Sequence, residues 1–85
     1  MFISNQPISL IRRKQLEQRM GIGRSTIYLR INQSLITSPV SLGANSVGWP
    51  LHEIDAIIAA RVAGKSDDEI RLLVSELETA RKLVA

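Results

Sequence analysis

At 85 residues, 45% of them apolar and 22% charged, the chain has room for one small core and the composition of a globular domain rather than a disordered tail. It holds no cysteine and a single histidine, which excludes disulfides, thiolate metal sites and His-rich metal sites. The net charge of +3 hides an asymmetry: residues 1–50 carry six basic side chains and one acid, a net +5, whereas residues 51–85 carry five and seven, a net −2.

In chain order, residues 1–9 open irregularly around Ser4-Asn5-Gln6-Pro7, with Phe2 and Ile3 expected to cover the core. Arg12–Met20 is predicted to be helical, with Leu16 and Met20 on one face and Gly21 placed to end it in a left-handed cap. After Ile22 and Gly23, residues 24–32 form a second predicted helix with Ile27 and Ile31 as its buried pair. The short connection forces two short helices to cross steeply, as in a helix-turn-helix.

Beyond Asn32 the apolar pattern turns from helical to alternating. Val40 and Leu42 flank Ser41, Val47 and Trp49 flank Gly48, and Gly43-Ala44-Asn45-Ser46 lies between, which predicts a small β-hairpin. Pro39 suits the first residue of an edge strand, and Trp49 is assigned to the core. Pro50 fits the first turn of a third helix, with an apolar stripe of Leu51, Ile54, Ile57, Ile58 and Val62 and a stop at Gly64. Glu53 and Asp55 are assigned to the positive end of its dipole. Ser66-Asp67-Asp68-Glu69 is a capping box that opens a last helix, with Ile70, Leu73, Val74, Leu77 and Val84 largely on one face.

The expected fold is therefore mostly α with a small β-hairpin, a winged helix-turn-helix over residues 1–64 followed by a C-terminal amphipathic helix over 65–85. That helix either packs on the domain or makes a homodimer, with Ile70, Leu73, Val74 and Leu77 as the candidate contacts.

Catalysis finds no support. His52 lacks a cysteine or second histidine with which to share a metal, and reads as a surface residue. Asp67, Asp68 and Glu69 are adjacent at a helix start, where capping accounts for them. Gly21 and Gly23 lack the lysine and spacing of a phosphate loop. The chain reads as a non-enzyme without cofactor, metal or small-molecule ligand. With no apolar run near the roughly 18 residues of a membrane span and no leader pattern, it is expected in the cytoplasm.

The basic half carries the functional signal. Arg12, Arg13 and Lys14 open the first helix, where the macrodipole disfavours cations and phosphates would compensate them. On the second helix Ile27 and Ile31 lie about 40° apart and define the core side. The opposite side displays Ser25, Tyr28, Leu29 and Asn32, with Thr26 at one edge, while Arg24 and Arg30 flank the core side. These polar groups suit base edges or phosphates, and Leu29 suits a thymine methyl. The alternatives are Leu29 as helix filler and Tyr28 as a core-edge aromatic. In the hairpin Ser41, Asn45 and Ser46 are uncharged wing candidates, so their electrostatic contribution is modest.

The run RRKQLEQRMGIGRSTIYLRIN, then PVSLGANSVGW, then LHEIDAIIAARVA resembles the AlpA family of prophage transcriptional regulators, over roughly residues 10–63. Arg24-Ser25-Thr26-Ile27-Tyr28 and Gly48-Trp49 carry the resemblance. It implies a winged helix-turn-helix of the MerR/excisionase type that binds double-stranded bacterial DNA as a regulator, its second helix entering the major groove. The chain departs from the family at Gly23, where serine is usual, and at Ser41 and Asn45, where basic residues are common. Two alternatives remain open: an excisionase-like factor that bends DNA for site-specific recombination, and a protein-interaction module acting through helix 66–84.

Overall fold

The computed structural model describes residues 8–83. The elements are β1 (Leu10–Ile11), α1 (Arg13–Met20), α2 (Arg24–Asn32), β2 (Val40–Gly43), β3 (Ser46–Pro50), α3 (Leu51–Val62), α4 (Asp67–Ala80) and a terminal 3-10 turn (Arg81–Leu83). Phe2, Ile3, the turn residues Ser4–Pro7 and Val84 lie outside the described residues. The architecture is the expected one: a helix-turn-helix, a hairpin wing and two further helices, with one strand added.

Arg12 is the residue before α1 rather than its first, and its backbone N–H donates to Gln15 Oε1 at 2.9 Å. Leu16 of α1 and Ile27 of α2 are fully buried, and with Ile11, Ile36, Trp49 and Ile54 they make the main core cluster. Met20, Ile22 and Ile31 pack against it, so the turn Gly21-Ile22-Gly23 is itself pinned by an apolar side chain.

β3 is the centre of a three-stranded antiparallel sheet, with β1 on one side and β2 on the other. Ile11 faces Trp49 and Leu10 faces Pro50. Two residues are too few to show alternation, which is why β1 escapes a sequence reading. The turn between β2 and β3 is only Ala44-Asn45, with Asn45 left-handed at φ 59°. Leu42 is left over as a bulge between the pairs Ser41–Val47 and Gly43–Ser46. Its side chain crosses Gly48: a Cβ there would lie 3.0 Å from Leu42 Cδ1 and 3.1 Å from the Ile11 carbonyl. Glycine at this position lets the three strands close. Trp49 beside it is fully buried, and its indole N–H donates to the Thr37 carbonyl at 3.0 Å.

Two expectations about α3 need correction, and a third is extended. Pro50 ends β3 and precedes the helix, which starts at Leu51. Val62 is 83% exposed, because it lies about 140° around the helix axis from Ile57, which does face the core. Glu53 does lie in the first turn, as expected, and the structure adds a partner there. It sits one turn before Ile57 on the same face and is fully buried, with Arg81 donating to both carboxylate oxygens, Nη2 to Oε1 at 2.6 Å and Nε to Oε2 at 2.8 Å. That fork raises the pKa of Arg81.

α3 stops at Gly64, left-handed at φ 79°, and Ser66 caps α4 as the sequence predicts. Glu69 N–H donates to Ser66 Oγ at 3.2 Å and Ser66 N–H to Glu69 Oε1 at 2.9 Å, which holds the Glu69 carboxyl below its usual range. Ile70 and Val74 of α4 are buried with Ile57 and Leu35 in a second cluster, against which Leu73 and Leu77 pack. The apolar stripe of α4 thus turns onto its own chain. No described helix is long and apolar enough to cross a membrane.

Candidate nucleic-acid interface

The inner face of α2 is fixed by Ile27, and this sets what the outer face can present. Ser25, Tyr28, Leu29 and Asn32 are all exposed, Tyr28 at 37% and Leu29 at 53%, while Thr26 is half-buried at the edge. Leu29 packs on neither core cluster, and neither does Tyr28. Among exposed positions of a helix anchored by isoleucine, a leucine and a tyrosine are available for contact with an external surface.

Gly23 precedes α2 with extended backbone and supplies no side-chain cap. The N–H groups of the first turn of α2 therefore have no side-chain acceptor there, the arrangement that accepts an anion at a helix start. Arg24 is exposed at this end, and Arg30 is half-buried near the other.

The sequence puts six basic side chains in this half, and the structure divides them. Arg13 Nε donates to Glu17 Oε2 at 3.0 Å within α1, and Arg19 Nη1 donates to Asp55 Oδ1 of α3 at 3.0 Å. Arg12, Lys14, Arg24 and Arg30 make no ion pair among the described residues. The Arg13–Glu17 pair is part-exposed and one turn apart, a geometry worth only about 0.3–0.5 kcal/mol, so Arg13 can exchange its carboxylate for a phosphate. Arg19 ties the helix-turn-helix to α3 and is not among the predicted DNA-binding residues.

In the hairpin, Ser41 and Asn45 are exposed and Ser46 is half-buried. Residues 31–52 contain no charged side chain, so the wing offers shape and hydrogen bonds rather than positive potential.

The C-terminal candidates divide as well. Ile70 and Val74 are buried within the chain, Leu73 and Leu77 are half-buried, and the large apolar residue that α4 exposes is Leu72. Sequence reasoning passes over the segment between α2 and β2, where Leu35, Ile36 and Thr37 are buried. The signal is present in three consecutive non-charged residues, but no periodicity can emerge from so short a run.

His52 is exposed, at the edge of a cleft lined also by Ile8, Val40 and Pro50. The charged groups of that cleft, Glu53 and Arg81, hold each other. Among the described residues no three His, Cys, Asp or Glu side chains converge as a metal site.

The family described as "Prophage CP4-57 regulatory protein (AlpA)" matches residues 9–62, a span that runs from just before β1 to the end of α3. An uncharacterized protein, ORF88 of Enterobacteria phage P4, is 42% identical over 45 residues, covering 53% of this chain and 51% of that protein. The chain thus matches about half the length of that relative. No solved structure matches significantly.

Proposed function

The chain belongs to the AlpA family of prophage regulatory proteins, and on that premise we propose that it is a sequence-specific DNA-binding transcriptional regulator that reads the major groove with α2. One observation carries the reading: α2 is anchored by Ile27, while Ser25, Tyr28, Leu29 and Asn32 face solvent, in a half of the molecule whose Arg12, Lys14, Arg24 and Arg30 lack carboxylate partners among the described residues.

The division of labour follows from chemistry. Guanidinium and ammonium groups bind phosphate oxygens of any sequence and set the register of the protein on the duplex. Arg12 serves this role from just before α1, Lys14 from its first turn, Arg24 and Arg30 from α2, and Arg13 once it leaves Glu17. Ser25, Thr26, Tyr28 and Asn32 supply donors and acceptors for base edges, and Leu29 an apolar contact for a thymine methyl. Ser41, Asn45 and Ser46 of the uncharged wing make hydrogen bonds beside the groove.

Selection of bound duplexes from a random pool, at a stated salt concentration, tests this directly. The wild-type chain is expected to enrich one motif, and Ser25→Ala and Tyr28→Ala are expected to enrich altered ones. The same motif from all three proteins would remove α2 as the reader, and no motif at all would remove the function.

A further inference from the structure

Three helices of this protein end in a left-handed residue just beyond the last turn. After α1 and α3 it is a glycine, Gly21 at φ 69° and Gly64 at φ 79°. After α2, the reading helix, it is Ser34 at φ 62°. The backbone pattern is the full Schellman closure: Ser34 N–H donates to the Ile31 carbonyl at 3.0 Å and Leu35 N–H to the Arg30 carbonyl at 2.8 Å. A Cβ disfavours this conformation, so the closure of α2 has to be held by its surroundings.

α4 holds it. Leu35, the residue after the strained serine, is buried among Ile57, Ile70 and Val74. Arg71 Nε donates to the Gln33 carbonyl at 2.9 Å, and its Nη1 to Asp68 Oδ1 at 3.1 Å, which orients the guanidinium. At the far end of the same linker, Glu78 Oε2 accepts from Ser38 N–H at 2.8 Å and Arg81 Nη2 donates to the Ser38 carbonyl at 2.7 Å. Arg81 is in turn gripped by buried Glu53. The segment from Gln33 to Ser38, which joins the reading helix to the wing, is therefore fastened at both ends by side chains that lie beyond the family-matched span of residues 9–62.

We propose that Arg71, Glu78 and Arg81 are positioning residues for DNA recognition: with Leu35 as a peg, they fix the end of α2 and the start of the wing relative to one another. The proposal rests on the reading of DNA by α2, and it makes the C-terminal helix part of the recognition apparatus rather than an appendage.

The test uses the full chain, Arg71→Gln and the double variant S34G/R71Q. In the free protein, amide hydrogen exchange at Ser34 and Leu35 should speed up roughly fivefold in Arg71→Gln, as for the loss of one hydrogen bond, with the amides of Ile54 and Ile57 unchanged. On DNA, affinity for the duplex enriched by the wild-type chain should fall roughly two- to thirtyfold relative to affinity for an unrelated duplex. The ratio cancels the effect of the removed charge, which weakens both. Glycine takes the left-handed conformation without being held, so S34G/R71Q should recover the wild-type ratio. A role in stability alone would lower the melting temperature and leave that ratio unmoved. Unchanged exchange at Ser34 and Leu35 would overturn the latch whatever the DNA result. Faster exchange with an unchanged ratio would overturn its positioning role. Failure of the wild-type chain to enrich any duplex would instead overturn the DNA reading, and the positioning role with it.

Discussion

The arginines of the two halves meet different ends. In the C-terminal half each one reaches a carboxylate: Arg61 on Asp67 at 3.0 Å, Arg71 on Asp68 at 3.1 Å and Arg81 on Glu53 at 2.6 Å. In the N-terminal half Arg13 and Arg19 are paired, whereas Arg12, Lys14, Arg24 and Arg30 are not, among the described residues. Arg19, counted with the basic half, belongs by contact to Asp55 of the acidic one. Charge summed along the sequence thus locates a surplus only approximately. What matters is whether the fold supplies each cation with an anion, and for these four the described residues supply none.

The comparison breaks first at its strongest pair. Arg81→Met leaves Glu53 buried and unpaired, and unfolding measurements should show a loss of about 3–5 kcal/mol. The double replacement of Glu53 and Arg81 by methionine should recover most of it, since neither charge is then stranded. Arg24→Ala, at an exposed cation without a carboxylate, should change stability by less than about 0.5 kcal/mol. Equal losses in Arg81→Met and Arg24→Ala would erase the distinction between the halves.

A smaller effect sharpens the reading face. Ser25→Ala and Tyr28→Phe should each reduce discrimination at particular base pairs by about 1–3 kcal/mol for each hydrogen bond removed, measured on duplexes with single substitutions. Smaller again, Glu17→Gln should release Arg13 and tighten binding to all duplexes by under about 1 kcal/mol, with no change of preferred sequence. The smallest concerns Glu69, whose carboxyl is held below its ordinary range by the Ser66 amide. Its contribution is present at neutral pH and lost as pH falls through the carboxylate range, so the melting temperature of Glu69→Gln should fall less on acidification than that of the wild type.

Much of this architecture was legible because local signals agreed with one another. Gly21, Gly64 and the Ser66 capping box mark their helix ends by chemistry that needs no tertiary partner. The outward face of α2 followed from two isoleucines one turn apart. Features that depend on distant residues stayed hidden. β1 exists because Ile11 and Leu10 meet Trp49 and Pro50 about forty positions later, and Ser34 ends α2 because α4 fastens the following chain. Glu53 looked like an ordinary acid in a first helical turn, since nothing nearby in sequence announces that Arg81 will cover it. In the candidate interface, the residue types were readable, whereas the pairing of Arg13 and Arg19, which decides how many cations are free, needed the fold.

The central claim is that Arg12, Lys14, Arg24 and Arg30, which have no carboxylate partner among the described residues, meet DNA phosphates, and the salt dependence of binding tests it most directly. Replacing Arg12, Lys14, Arg24 and Arg30 by alanine should lower the slope of log affinity against log salt by about one unit for each phosphate no longer neutralised. Arg61→Gln, at a cation already paired with Asp67, should leave the slope where it was. An unchanged slope in the fourfold variant, or an equal fall in Arg61→Gln, would contradict the account.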